Sequence, residues 1–131
     1  MLEGRELFDY VAKILGGRDK LHMMIDLCGT SYSKNSAVFM FRAKAKKKIN
    51  LVEIIYNVGS DSFKMKFMNY SNLNYTIIET YDEVYVDQLR YLFEETTGLY
   101  LSFWRGVRNR WGVYILKRYI LYATSYSPPK L

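Results

Sequence analysis

The sequence predicts one α+β domain followed by a basic C-terminal extension. Three patterns carry this prediction: helical spacing of apolar residues near the N-terminus, alternation with a period of two after residue 37, and a second helical stripe before residue 98. Apolar residues three and four apart indicate an amphipathic helix, and strict alternation indicates a half-buried strand. A chain of 131 residues has the size of one domain. We therefore expect an N-terminal helix, a four- to five-stranded mostly antiparallel sheet, and a second helix packed on one face.

The N-terminal quarter predicts one clear helix and one ambiguous segment. Apolar residues at helical spacing predict a helix over residues 2–15, and Gly16 and Gly17 end it. The segment LHMMIDLC (21–28) fits either a short helix or a strand that enters the sheet. The segment GTSYSKNS (29–36) is rich in turn formers and predicts a loop.

The middle of the chain predicts an antiparallel meander, because short turns separate its strands. The third predicted strand alternates Phe63, Met65 and Phe67 toward the core with Lys64 and Lys66 toward solvent. The second is almost continuously aliphatic, which is typical of a central strand with both faces at least partly covered. The four strands are predicted over residues 37–44, 49–58, 63–70 and 75–81.

A second helix is predicted over about residues 83–97. Thr80 and Glu83 have the spacing of a capping box, and Gly98 follows as a helix-ending glycine. One apolar stripe runs along this helix, formed by Tyr85, Leu89, Leu92 and Phe93.

Five carboxylates accompany the second predicted helix, namely Asp82, Glu83, Asp87, Glu94 and Glu95. Most of them fall off the apolar stripe, and the first two lie at the helix N-terminus, where the helix dipole favours negative charge. This arrangement indicates a solvated helix face and not a catalytic cluster.

Charge is distributed unevenly along the chain. Residues 1–95 contain 13 Lys and Arg and 13 Asp and Glu, and the entire net charge of +6 comes from residues 96–131. We therefore divide the chain into an α+β domain over residues 1–103 and a basic, aromatic extension over residues 104–131, called the C-terminal arm below. The arm could form two strands, or a helix over residues 112–123, and the β-forming residue types favour a strand or an irregular arm.

Several segments of the α+β domain resemble a family of small proteins encoded by bacteriophages and other mobile elements. The likeness covers about residues 5–103 and rests on LGG (15–17), KKINLVEIIYN (47–57), FKMKF (63–67) and VYVDQLRYLFEETTGLYLSF (84–103). It implies a viral or mobile-element setting and a fold, but no activity and no catalytic residues. Residues 29–36 and the C-terminal arm depart from the family pattern, which places a specialised role most naturally in the arm.

The sequence contains few groups that could perform chemistry. His22 and Cys28 are its only histidine and cysteine, so one chain has neither a disulfide nor a Cys/His zinc site. We interpret His22 as a structural or surface residue and Cys28, in an apolar segment, as a buried one. No phosphate loop, cofactor motif or nucleophile motif is present, so we expect a binding protein without a cofactor and not an enzyme.

The chain also lacks the features of secretion and membrane insertion. No apolar run approaches the length needed to cross a bilayer, and the charged, periodic N-terminus is unlike a signal peptide. We expect a cytoplasmic protein with no membrane partner.

Two basic features are candidate binding sites. The first, called the lysine turn, follows the first predicted strand and contains Lys44, Lys46, Lys47 and Lys48. The second is the C-terminal arm, where cations alternate with aromatic rings at Trp104, Arg105, Arg108, Arg110, Trp111, Lys117 and Arg118. Such a mixture suits single-stranded nucleic acid, whose bases stack on rings while its phosphates meet cations.

Other interpretations of these features stay open. Trp, Tyr and Arg are also the usual anchors of protein interfaces, so the arm suits a host or viral protein partner or a homo-oligomer. The arm could equally pack on its own domain, and the lysine turn could be an ordinary solvated turn that discourages edge pairing.

Overall fold

In a computed structural model, residues 2–101 form one α+β domain with three α-helices and a five-stranded antiparallel sheet. The strands follow one another across the sheet in chain order, so the predicted meander is confirmed and gains a strand at its N-terminal edge. The helices are α1 (Gly4–Ile14), α2 (Arg18–Ile25) and α3 (Leu89–Thr97), and the strands are β1 (Leu27–Tyr32), β2 (Ser36–Phe41), β3 (Leu51–Asn57), β4 (Ser62–Ser71) and β5 (Asn74–Val84).

The first helix ends at the predicted pair of glycines. Gly16 follows the helix with φ +121°, and its N–H donates to the carbonyl of Lys13 over 3.0 Å, while the N–H of Gly17 donates to the carbonyl of Ala12 over 2.8 Å. Left-handed backbone of this kind is the usual way to satisfy the last carbonyls of a helix, and only glycine adopts it without strain. The chain therefore reverses at once into α2.

The segment that was ambiguous from sequence is both a helix and a strand. Residues 21–25 complete α2, Asp26 turns the chain with φ 54°, and β1 begins at Leu27. The prediction of a loop over residues 29–36 was wrong, since β1 continues to Tyr32 and only the turn to β2 separates the two strands. Its last residues are polar and mostly exposed, so no alternating pattern marks them as a strand.

The core lies between the helices and one face of the sheet, called the inner face below. On this face Phe39 of β2 lies opposite Val52 of β3, which lies opposite Phe67 of β4. Phe8 of α1 stacks on Phe39 with ring centroids 5.1 Å apart, while Phe93 of α3 contacts Phe67. Helices α1 and α3 thus cover the same face, as the sequence predicts for a second helix packed on one face.

The predicted patterns of β3 and β4 are confirmed. Strand β3 is the central strand, with its inward residues Val52 and Ile54 fully buried. In β4, Met65 and Phe67 are fully buried, whereas the intervening lysines are partly exposed. The opposite side of the sheet is called the outer face below.

The start of the second predicted helix lies later than the sequence suggested. Thr80 is still paired with Lys66 of β4, so it cannot cap a helix, and β5 continues to Val84. A 3₁₀ turn over Val86–Gln88 then leads into α3, and the side chain of Gln88 accepts the N–H of Tyr85 over 3.1 Å. The predicted end at Gly98 is confirmed by its φ of 77°.

The C-terminal arm lies outside the described residues, as do its predicted binding residues. Within residues 2–101, no helix is both long and apolar enough to cross a membrane.

Candidate functional site

The lysine turn connects β2 to β3 beside the C-terminal end of α3. Lys46–Lys48 form a short 3₁₀ turn in which Lys47 and Lys48 have φ of 55° and 60°. Ile49 anchors the turn, since its side chain is 1% exposed. All four lysine side chains of the turn are on the surface. The turn therefore presents four cations from a firmly held backbone.

Two of these lysines are occupied by contacts within the domain. The Nζ atom of Lys47 lies 2.8 Å from Oε2 of Glu79 on β5, and this hydrogen-bonded ion pair raises the pKa of Lys47. Lys46 donates from Nζ to the carbonyl of Glu95 over 3.3 Å, at the negative end of the α3 dipole. These lysines tie the turn to β5 and α3, a role that the sequence alone did not indicate.

The other two lysines are open cations. Among residues 2–101, no carboxylate lies within ion-pair distance of Lys44 or Lys48. Arg42 lies next to them and pairs loosely with Asp26 at 3.8 Å, with both side chains largely exposed. The lysine turn therefore offers about half of its nominal charge to a partner.

The residues that follow α3, up to Leu101, are held against the domain. Leu99 and Leu101 are buried, and the N–H of Leu101 donates to the carboxylate of Glu94 over 2.8 Å. The side chain of Lys46 lies against Gly98, because a Cβ placed on that glycine would be 3.1 Å from it. The lysine turn thus contacts the C-terminal end of α3, whereas the carbonyl of Leu101, the last described residue, lies beside Gly16.

The five acids of the second predicted helix do not form a cluster. Asp82 lies 3.7 Å from Lys64 on the outer face of the sheet. Glu94, expected on a solvated face, is only 4% exposed and holds the segment after the helix. Throughout residues 2–101, no three His, Cys, Asp or Glu side chains come together as a metal site.

The histidine and the cysteine lie on the surface. His22 is exposed on α2, in agreement with the prediction of a structural or surface residue. The prediction that Cys28 is buried was wrong, because the pairing of β1 with β2 shifts register between Leu27 and Gly29 and leaves Cys28 exposed. An irregularity of this kind leaves no mark in the apolar pattern of the sequence.

One open cleft has the volume of a small-molecule site, about 670 Å³, and lies beside the turn between β3 and β4. Its charged side chains already pair with carboxylates, since Lys34 lies 3.8 Å from Glu3 and Lys64 lies 3.7 Å from Asp82. Neither His22 nor Cys28 lines the cleft, so its walls supply no nucleophile–base pair.

A surface that sequence reasoning missed lies on the β4–β5 hairpin. Residues 71–77 are all exposed, and they include Leu73 (85% exposed), Tyr75 (63%) and Ile77 (56%). The sequence predicts a turn and a strand here but does not indicate that the apolar side chains project into solvent. Exposed apolar groups grouped on one element are typical of interaction sites.

No protein-family model, curated protein or solved structure matches this chain. The resemblance to proteins of bacteriophages and mobile elements stays a prediction.

Proposed function

We propose that this protein is a non-enzymatic accessory protein of a virus or mobile element that binds single-stranded nucleic acid through its C-terminal arm in the host cytoplasm. The observation that carries the proposal is the separation of charge. The domain of residues 2–101 is electrically balanced, whereas the arm contains six cations, no acids and both tryptophans of the chain. Cations that meet phosphates beside rings that stack on bases suit a single strand.

The position of the lysine turn supports the proposal. Within the described domain, Lys44 and Lys48 are cations without a carboxylate partner, and the turn contacts the C-terminal end of α3. A nucleic acid that also reached the lysine turn would meet these two further positive charges. We assign the turn a supporting role, because Lys46 and Lys47 serve the domain itself.

Binding of a fluorescent single-stranded oligonucleotide to the full chain across a salt series tests the proposal. Each phosphate neutralised on a single strand contributes about −0.7 to the slope of log K against log salt. Six arm cations predict a slope of about −4. Absence of binding even at low salt would contradict the proposal.

Two matched sets of variants distinguish the effect of the arm arginines on binding from the effect of the net charge of the chain. Replacing Arg105, Arg108 and Arg110 by Gln should reduce the size of the slope by about 2. Replacing Arg5, Arg18 and Arg90 by Gln removes the same charge from the domain and should leave the slope unchanged. Equal effects of the two sets would show that the arm has no specific role.

The tryptophans test stacking separately from charge. Trp104→Ala and Trp111→Ala should each weaken binding by about 5- to 150-fold, since a stacked base contributes ~1–3 kcal/mol, while the salt slope stays constant. Lys44→Gln and Lys48→Gln together should reduce the slope by at most about 1.4.

A second candidate function, binding of a protein partner, is favoured by the exposed apolar residues of the β4–β5 hairpin. Affinity capture from a host lysate after nuclease treatment distinguishes the two functions. A complex that survives nuclease and requires the hairpin favours a protein partner, and one that nuclease removes favours nucleic acid.

A further inference from the structure

Among the described strands, β5 forms one edge of the sheet. Within residues 2–101, β4 lies on one side of β5 and no strand lies on the other. An unpaired edge presents a row of backbone donors and acceptors to another strand, and natural proteins usually protect it with charge, proline or a short length. Strand β5 is 11 residues long, and the segment 71–78 contains no charged residue and no proline.

The geometry of the hairpin shows which peptide groups face this edge. The carbonyl of Met68 accepts the N–H of Asn50, and the N–H and carbonyl of Tyr70 bond the Asn50 side chain, so both residues turn toward β3. Their partners across the ladder are Ile77 and Tyr75. Because opposed residues in an antiparallel ladder face each other or face away together, the peptide groups of Tyr75 and Ile77 point to the open edge.

The same two residues carry the exposed side chains. Ile77 ends a row across the outer face, formed through successive strand pairs by Met40, Leu51, Met68 and Ile77. Tyr75 leans on Tyr70 with ring centroids 4.6 Å apart, yet 63% of it stays exposed. At alternate positions of one strand, the edge therefore offers apolar side chains and hydrogen-bonding groups that no described strand pairs.

We propose that two copies of this chain pair through β5, antiparallel, about a two-fold axis at Thr76. In this register Tyr75 of each copy lies opposite Ile77 of the second copy, and their edge-facing peptide groups form hydrogen bonds in both directions. The two side chains lie on the outer faces, where aromatic and β-branched residues make favourable cross-strand pairs. The most exposed part of the edge thus complements itself.

The acids that follow segment 71–78 and the bulge at Ile78 favour a second copy of the chain as the partner strand and Thr76 as the position of the axis. The uncharged segment 71–78 adjoins the acids Glu79, Asp82 and Glu83. An axis at Thr76 keeps these acids apart, whereas an axis at Glu79 would place that carboxylate opposite itself. The register shift between Phe67 and Met68 leaves Ile78 unpaired, and such a bulge limits regular pairing to the residues before it. A second copy supplies an uncharged strand of matching length.

A disulfide trap tests the axis directly in the full chain. Thr76 would lie opposite Thr76 of the second copy in a non-hydrogen-bonded pair, with Cα atoms about 4.5 Å apart, within the range of a disulfide. With the exposed Cys28 replaced by Ser, Thr76→Cys should oxidise to a dimer at least about tenfold faster than Thr80→Cys, an exposed control on the same strand. Equal rates for the two cysteines would overturn the proposal.

A charge swap tests the register. Tyr75→Glu and Ile77→Lys should each abolish concentration-dependent association in sedimentation velocity, because each places a charge opposite an apolar side chain. The double variant should associate again, since the carboxylate introduced in one copy would then lie opposite the ammonium group introduced in the other. A double variant that stays monomeric contradicts the Thr76 axis.

Val58→Lys provides the matched control, because Val58 is 51% exposed and lies away from β5. It should associate like the unchanged chain, and loss of association in this variant would argue against β5. These measurements use nuclease-treated protein at about 300 mM salt, so they stay independent of the proposed nucleic-acid binding.

Discussion

Glu94 shows how one residue changes role between sequence and structure. Its helical position suggests a solvated acid, yet its side chain is 4% exposed and accepts the N–H of the buried Leu101. A buried donor left without a partner costs more than an ordinary hydrogen bond contributes. Glu94 therefore secures the segment from which the C-terminal arm departs.

We expect Glu94→Ala to lower the free energy of unfolding by about 1–3 kcal/mol, because it removes the acceptor for the buried N–H of Leu101. The neighbouring, less buried Glu95 provides the control: Glu95→Ala should change stability by at most about 0.5 kcal/mol. Urea unfolding followed by circular dichroism measures both. Equal losses in the two variants would contradict the assigned role of Glu94.

Tyr56 and Asp61 predict a specific pH dependence. The Tyr56 hydroxyl donates to Oδ1 of Asp61 over 2.5 Å, and this hydrogen bond raises the pKa of Tyr56 above its usual 10.0. The folded state favours the protonated phenol of Tyr56. The hydrogen bond to Asp61 therefore stabilises the fold below pH 10, and this stabilisation is lost as pH rises through the raised pKa of Tyr56.

We expect Asp61→Asn to lower the pKa of Tyr56, since it removes the negative carboxylate that accepts the hydrogen bond from the phenol. Asparagine tolerates the φ of 49° at this position, so the turn should persist. A ¹³C NMR titration of labelled tyrosine measures the pKa, and Tyr56→Phe identifies the signal. An unchanged pKa would show that the hydrogen bond is absent in solution.

At the scale of elements, the turn of the β4–β5 hairpin contains a residue type that its backbone conformation disfavours. Asn72 and Leu73 form a two-residue turn with φ of 51° and 64°, the backbone of a type I′ turn, for which Asn-Gly is preferred. Leucine is strained in this conformation and is also 85% exposed. The hairpin thus retains an unfavourable residue at its tip, next to the edge proposed to pair two copies.

We expect Leu73→Gly to raise the free energy of unfolding by about 0.5–1 kcal/mol, because glycine relieves the left-handed strain at little cost in burial. Leu73→Ala retains the strain and should stay within about 0.5 kcal/mol of the unchanged chain. Thermal and urea unfolding of the three proteins test this expectation. A less stable glycine variant would mean that the leucine side chain makes a stabilising contact.

The sequence predicted those elements whose apolar pattern is strong. The alternation of Phe63, Met65 and Phe67 identified β4, and Gly98 marked the end of α3, because burial and left-handed backbone leave clear signals in residue type. The continuation of β1 over residues 29–32 was missed because these residues are mostly polar and face solvent on an edge. The start of α3 was misplaced because a capping pattern at Thr80 matched residues that β4 holds in the sheet.

The candidate site could be predicted only in part. The sequence identified the lysine turn as cationic. It did not indicate that Lys46 bonds to the carbonyl of Glu95 and Lys47 to the carboxylate of Glu79, because these partners are distant along the chain. The exposed hairpin arises because β4 and β5 extend together beyond the end of β3, and a local pattern does not contain that information. The arm residues lie outside the described domain, so their assignment remains a prediction from sequence.

At the scale of the whole molecule, two surfaces have separate proposed roles. The β5 edge is uncharged over residues 71–78 and complements itself, whereas the arm is cationic and rich in rings. A dimer formed through β5 would carry two arms, and linked binding sites gain affinity from their high local concentration. In such a dimer the balanced domains would join two segments that are proposed to bind nucleic acid.

The fluorescence of the two tryptophans tests the central claim most directly. Trp104 and Trp111 are the only tryptophans of the chain and both belong to the arm, so their emission reports on the arm alone. We expect an unlabelled thymidine oligonucleotide of about 16 residues to quench this emission at low salt through stacking, and added salt to restore it. Emission that stays unchanged at saturating oligonucleotide would contradict nucleic-acid binding by the arm.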